Sequence, residues 1–296
     1  MSLSSSQPVG LRVWFEGARP RTLGAVIAPV VIGTAAAAPS GPTIWWRAAC
    51  ALGVGVALQV GVNYANDYSD GIRGTDANRK GPIRLTATGL ARPEAVKRAA
   101  CISFAVAAAF GLALAIAVDL RLIVVGIAAI AAAWLYTGGP KPYGYSGLGE
   151  LMVLVFFGFV ATCGSAYVQI SDVPAVAWFA ATAVGLMACA VLLANNIRDV
   201  PTDIQAHKKT LAVRIGAPRA RILFVLAHVG AYLAVIAIGL QYPWALLGLL
   251  AIPLSVVPVT LVMTRSDPPS LVRALVGTGQ ADLALAVLCA IGLAIS

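Results

Sequence analysis

Charge is what this chain of 296 residues has least of: Asp, Glu, Lys and Arg together make up 11% of it. A soluble globular domain carries about 25%, and it spreads its polar residues along every surface helix. Here they are bunched, which excludes an ordinary soluble fold. Metal-binding side chains are equally scarce. There are two histidines, His207 in a basic, solvated stretch and His228 inside an apolar run, where a satisfied core histidine is expected. The five cysteines, Cys50, Cys101, Cys163, Cys189 and Cys289, form no CxxC pair and each lies in or beside an apolar run. They read as small hydrophobes, with neither a disulfide framework nor a zinc site.

What is abundant is apolar sequence, 59% of the chain. Nine apolar segments, at 22–38, 45–66, 97–117, 120–137, 150–169, 175–197, 220–240, 243–264 and 275–295, approach the roughly 20 residues that cross a bilayer as a helix. No strand-length alternation interrupts them. In lipid a segment must satisfy its own backbone polar groups, so each is expected to be helical. The first follows a basic stretch, but the chain stays hydrophobic to its end, and we read it as a true first span. The expected fold is therefore all-α and polytopic: one transmembrane domain over 1–296, about nine helices around a central cavity.

With nine spans, all but two of the 21 Lys and Arg residues fall on one side, the exceptions being Arg47 and Arg121. The basic side is expected to be cytoplasmic. The net charge of +9 is explained by this sorting and by anionic lipid, and calls for no nucleic acid partner.

That side also carries two acidic runs. Asn63, Asn66, Asp67, Asp70, Arg73 and Asp76 follow the second span; Asn195, Asn196, Arg198, Asp199 and Asp203, then Lys208 and Lys209, follow the sixth. Fourfold spacings (Asn63/Asp67, Asn66/Asp70, Asn195/Asp199, Asp199/Asp203) put oxygen atoms on one helix face in successive turns. The first run is expected to break at Gly71 and Gly74, and Pro201 to unwind or turn the second. Asn66 to Asp199 and Asp70 to Asp203 are both 133 residues, which suggests a four-helix internal repeat with its acidic ends facing each other. Carboxylates so close to hydrocarbon need neutralising. Hard oxygen donors without imidazole or thiolate suit Mg²⁺ with substrate phosphates. The neighbouring cations Arg73, Arg198, Lys208 and Lys209 can pair with the acids or clamp a diphosphate. A third cluster, Tyr136 to Glu150, is a Gly- and Pro-rich loop containing Lys141, Tyr143 and Tyr145. Its tyrosines serve either as interfacial anchors or as a cover over a substrate. Asp282, inside the last span, is an intramembrane acid and a functional suspect by default.

The chain resembles the UbiA-type intramembrane prenyltransferases over essentially its full length. The resemblance rests on Asn-Asp-x-x-Asp at 66–70 with Asp76, and on Asp-x-x-x-Asp at 199–203. Arg-Pro-Arg-Thr-Leu at 19–23, Tyr-Thr-Gly-Gly at 136–139, Pro-Tyr-Gly-Tyr at 142–145, and Asn-Asn-Ile-Arg-Asp at 195–199 with Thr-Leu-Ala-Val-Arg at 210–214 look like the branch that uses 1,4-dihydroxy-2-naphthoate in menaquinone biosynthesis. Two spacings depart from the wider family: five residues rather than three separate Asp70 from Asp76, and Tyr136 and Lys141 are five apart rather than four.

The resemblance implies Mg²⁺-dependent transfer of a polyprenyl chain from its diphosphate to that acceptor, with loss of carbon dioxide, and no redox cofactor. It implies two Mg²⁺ ions held by Asn66, Asp70, Asp76, Asp199 and Asp203, with Asp67 beside them. Asp67, Asp70, Asp199, Asp203 and Lys208 would be catalytic. Arg73, Arg198, Lys208 and Lys141 would meet the diphosphate, and Asn63, Tyr136 and Arg21, with Arg19 and Gln59 behind them, the acceptor. The protein would lie in the plasma membrane of a prokaryote with its site toward the cytoplasm, among membrane lipid. Two readings compete: another acceptor in the same family (4-hydroxybenzoate, homogentisate, haem or a phosphoribose), and a secondary transporter. Transporter acids usually lie near the midplane on broken helices, whereas these lie at span ends.

Overall fold

The computed structural model describes residues 10–75 and 83–296, the side chain of Arg21 apart, and among them there is no β-strand. Among the described residues, seven helices are long and apolar enough to cross a membrane, and there are two shorter apolar ones. We number them in order: α1 Gly24–Ser40, α2 Trp45–Ile72, α3 Pro93–Ala117, α4 Leu122–Leu135, α5 Gly149–Ile170, α6 Ala175–Gln205, α7 Ala217–Gly239, α8 Pro243–Thr264 and α9 Pro268–Ala294. All nine coincide with the apolar segments of the sequence. The protein is an integral membrane protein, and its outer faces carry exposed Leu, Ile, Val and Trp throughout, as a lipid-facing surface does.

Helices in lipid gain nothing from hiding leucines from one another, so they associate through small residues that let backbones approach. The core follows this rule. Its largest cluster joins α1, α5, α6, α7 and α9 mainly through alanines, including Ala28, Ala166, Ala180, Ala231 and Ala281. A second cluster packs α2, α3 and α4 around Tyr64, Leu85 and Phe104, and reaches the N-terminal helix Leu11–Gly17 through Val13 and Trp14. α2 packs extensively against α3, α6 against α7, and α8 against α9.

Two expectations about helix ends are corrected. Gly71 does not break α2, which runs to Ile72; the chain leaves at Gly74, whose φ of +71° a side-chain-bearing residue rarely adopts. Pro201 does not unwind α6, which continues to Gln205. Proline removes a single backbone bond and here only one turn follows it. Within that turn the Thr202 hydroxyl donates to the Asp199 carbonyl at 2.9 Å and the Ala206 N–H to the Thr202 carbonyl at 2.9 Å. Residues 63–70 and 195–203 are thus helical, and their side chains keep the fourfold spacing.

Candidate active site

The two runs meet. Lys208, on the segment after α6, places its Nζ 3.4 Å from a carboxylate oxygen of Asp70 on α2. Arg84 reaches the same oxygen at 3.8 Å, and the Tyr145 hydroxyl donates to the other. Asp70 is 3% exposed, so three donors converge on a carboxylate almost sealed from water. Lys208 also lies over the Tyr145 ring, 4.5 Å from its centroid, and the Lys209 N–H donates to the Tyr145 carbonyl at 2.9 Å. Burial first, and the negative Asp70 second, push the Tyr145 phenol above its ordinary value. Tyr145 therefore keeps its proton across the physiological range and remains a donor to Asp70.

Asp199 is gripped side-on by its neighbour. Arg198 donates from Nε and Nη2 to the two Asp199 oxygens, each at 2.7 Å, and also to Asn195 at 2.8 Å. Such a fork leaves little freedom to either group. One turn on, Asp203 accepts from the Thr210 hydroxyl at 3.3 Å, while its carbonyl accepts the Lys208 N–H at 2.8 Å. The second contact holds Lys208 against the end of α6, next to Asp70.

The Gly/Pro loop packs against this cluster. Thr137 donates to the side-chain oxygen of Asn66 at 2.7 Å, and Arg73 donates to the Thr137 and Gly139 carbonyls. Arg73, expected to meet a diphosphate, here spends donors on tying the end of α2 to that loop. Asp67, expected to be catalytic, has a different task in this structure. Its oxygens accept the backbone N–H groups of Leu85 and Thr86 at 2.7 and 2.8 Å, so it fixes the segment that carries Arg84. Lys141 is exposed on the loop and the structure gives it no part in the cluster. Asp76 lies outside the described residues.

The acceptor guesses divide. The Asn63 amide donates to the Ala18 carbonyl at 2.9 Å and to the Thr22 hydroxyl at 3.2 Å, and Gln59 donates to the same hydroxyl at 3.0 Å. Arg19, at φ +54°, makes the turn that brings Thr22 there, and its carbonyl accepts the Thr22 hydroxyl at 2.9 Å. Left-handed backbone at a non-glycine residue is strain that clusters at functional sites. Tyr136 packs edge-on against Tyr143, with ring centroids 5.5 Å apart. The side chain of Arg21 lies outside those described.

Sequence reasoning passed over Arg84, Thr137, Tyr145 and Thr210 as site residues. The first was only one cation among many, and the hydroxyls sit in loops with no helical spacing to align them.

The donor set fits Mg²⁺ in its usual protein mode. Among the described residues no three Asp, Glu, His or Cys side chains converge closely enough to hold a metal by themselves. Mg²⁺ commonly takes one or two carboxylates and completes its shell with water and substrate phosphate. Asn66, Asp70, Asp199 and Asp203 offer that chemistry, and their present cationic partners are the groups a phosphate would attract.

Comparison with known proteins decides the family. Residues 26–279 match the model of the UbiA prenyltransferase family. The chain belongs to it. This UbiA prenyltransferase is 50% identical over 283 residues to the 1,4-dihydroxy-2-naphthoate octaprenyltransferase of Mycobacterium tuberculosis, covering 95% of the chain and 96% of that relative. It is 35% identical to the enzyme of the same name from Escherichia coli, covering 96% of each. Its fold matches a solved UbiA homologue from Archaeoglobus fulgidus with a TM-score of 0.68 at 14% identity, covering 96% of this chain and all of that one. A UbiA homologue from Archaeoglobus fulgidus has also been solved bound to GPP and Mg²⁺, and that structure matches with a TM-score of 0.64 at 13% identity over 96% of this chain and all of that one.

Proposed function

We propose that this UbiA prenyltransferase moves a polyprenyl chain from its diphosphate to 1,4-dihydroxy-2-naphthoate, releasing diphosphate and carbon dioxide and giving demethylmenaquinone in its quinol form. The observation that carries the reading is the contact of Lys208 with Asp70, because it joins both acidic runs, and the cations beside them, into one buried centre. The choice of acceptor rests on the near-full-length likeness to relatives named for that naphthoate.

The chemistry follows from the residues. The bond between the allylic carbon and the diphosphate oxygen breaks, and its electron pair leaves with the diphosphate. Lys208 and Arg198 meet the growing charge on the leaving group, where preorganised cations in a water-poor site act most strongly. Asn66, Asp70, Asp199 and Asp203 would hold two Mg²⁺ ions, which supply further charge neutralisation to the diphosphate. The electron-rich ring attacks the allylic carbon, and the ring carboxylate departs as carbon dioxide. The apolar helices keep water from the cation in the meantime. Asp67 and Arg73 act as positioning residues, the first through residues 84–86 and the second through the loop at 137–139. Gln59, Asn63 and Thr22 form the polar seam that we assign to the acceptor, with Tyr136 of the loop as a further acceptor contact. One transmembrane unit carries all of this, in the plasma membrane of a prokaryote, with the site toward the cytoplasm.

Purified protein given a polyprenyl diphosphate, 1,4-dihydroxy-2-naphthoate and Mg²⁺ is expected to yield the prenylated, decarboxylated product, and EDTA to abolish it. Prenylation of 4-hydroxybenzoate instead would keep the reaction class and overturn the acceptor. Absence of any diphosphate release from folded protein would favour a transporter. Lys208→Ala is expected to raise the KM for the diphosphate by about tenfold and to leave the KM for the naphthoate nearly unchanged. A rise confined to the naphthoate would reassign Lys208.

A further inference from the structure

On the outer side of the bundle, α5, α6 and α7 enclose a cleft of about 270 Å³. Cys189 and Leu193 of α6 form its floor, Glu150 and Leu154 of α5 one wall, and Leu223 and Leu226 of α7 the other. Its rim faces the bilayer, since Leu226 is 57% exposed. α5 is locally π-helical from Leu154 to Val160, beginning at the wall of the cleft, and such segments recur at functional sites.

The cleft is apolar except at one end. Glu150 is 7% exposed there; its Oε1 accepts a hydrogen bond from Asn196 at 2.9 Å, and its Oε2 is buried with no hydrogen-bond partner. Buried polar atoms are seldom left so. The prenyl-transfer centre described above makes no use of this oxygen.

We propose that the cleft binds the prenylated naphthalenoid product, with a ring oxygen on Glu150 Oε2 and the prenyl chain along the leucines, and that its occupancy slows turnover. The proposal rests on the prenyl-transfer reading. Size agrees: an apolar cavity of about 150 Å³ holds a benzene ring, and this one has room for two fused rings. Charge separates product from substrates. Among the described residues the lining of the cleft includes no cation, so burying a diphosphate or the carboxylate of 1,4-dihydroxy-2-naphthoate there is costly, whereas the product has lost that carboxylate. A carboxyl group also suits both redox forms of the product, accepting from a hydroquinone hydroxyl or, when protonated, donating to a quinone carbonyl. The leucine walls lead to the bilayer that the product enters. Occupancy is felt at the reaction centre through Asn196, which holds Glu150 and adjoins Asn195, the partner of Arg198 and Asp199.

The test uses the full-length protein in lipid nanodiscs and a prenylated 1,4-naphthoquinone with a photoreactive diazirine on its chain, in oxidised and reduced forms. Labelling is expected on the peptides around Leu151 and Leu226. Unlabelled prenyl-naphthoquinone should compete with it, and 1,4-dihydroxy-2-naphthoate or excess phospholipid should not. Unlabelled product should inhibit transfer non-competitively toward both substrates. Leu226→Trp, which fills the cleft from its exposed wall, should remove the labelling and weaken inhibition about tenfold while the uninhibited rate stays at the wild-type value. Glu150→Gln should also weaken inhibition, by changing the group offered to the ring oxygen. Labelling elsewhere, labelling abolished by phospholipid, or inhibition that is competitive with the naphthoate and unchanged in Leu226→Trp would overturn the proposal. Labelling needs no turnover, so a protein that labels in the cleft yet transfers no prenyl group would retain the site and refute the reaction instead.

Discussion

Asp70→Asn is expected to lower prenyl transfer by about a thousandfold in protein that remains folded in detergent. Asp70 is where the site converges, with Lys208 at 3.4 Å, Arg84 at 3.8 Å and the Tyr145 hydroxyl all directed at one carboxylate. The amide keeps the size and one acceptor oxygen, so packing around α2 survives. It loses the negative charge that holds Lys208 in place and that would bind Mg²⁺. Alanine would be a poorer probe, because besides the charge it removes the acceptor of the Tyr145 hydroxyl and leaves a buried void, and lost activity could then reflect lost structure. Product formation, measured alongside a thermal melt in the same detergent, separates the two. A variant retaining a tenth or more of wild-type activity with an unchanged melt would remove Asp70 from the reaction centre.

Gly33→Val is expected to damage the fold rather than the chemistry. A Cβ built on Gly33 falls 2.2 Å from the Thr162 carbonyl oxygen and 2.9 Å from the Ser165 Cβ, so α1 and α5 touch there backbone to backbone. A carbonyl inside a helix cannot swing aside as a side-chain end can. The two helices must part, and overpacking of this kind costs about 3 kcal/mol or more, a fall in melting temperature of roughly 10 °C. Activity should fall with it, since α1 follows directly on Thr22, which bonds to Gln59 and Asn63. Gly126→Ala serves as the control, because nothing lies within 4 Å of a Cβ built there, and its melt should match the wild type. Equal melts for both variants would refute the close α1–α5 contact.

The positions of the nine helices were legible in the sequence because hydrocarbon thickness sets their length and the need for internal backbone bonding sets their type. Their ends were harder to read. The acidic runs read as helix faces, with a break expected at Gly71 and an unwinding at Pro201, yet the helices run on to Ile72 and Gln205. The identity of the acidic centre was also legible, since fourfold spacing aligned Asn66 with Asp70 and Asp199 with Asp203. The division of labour within it was not. Asp67 sits beside Asn66 in the same motif, and spacing cannot tell that its oxygens hold Leu85 and Thr86. Arg84 and Tyr145 reach Asp70 from segments 14 and 75 residues away in sequence, through contacts that only the folded chain creates. Glu150 gave no sign at all, because a lone acid at the start of a span has no spacing to mark it.

The grip of Lys208 on Asp70 bears on how the protein lives between encounters. Because its acids and cations already answer one another, the folded chain has no need of a substrate to hold its charged helix ends at the membrane boundary. A cell short of polyprenyl diphosphate would keep its pool of enzyme intact, idle and ready. The donor, when it comes, enters as a rival to an existing partnership rather than as the missing piece of an empty one.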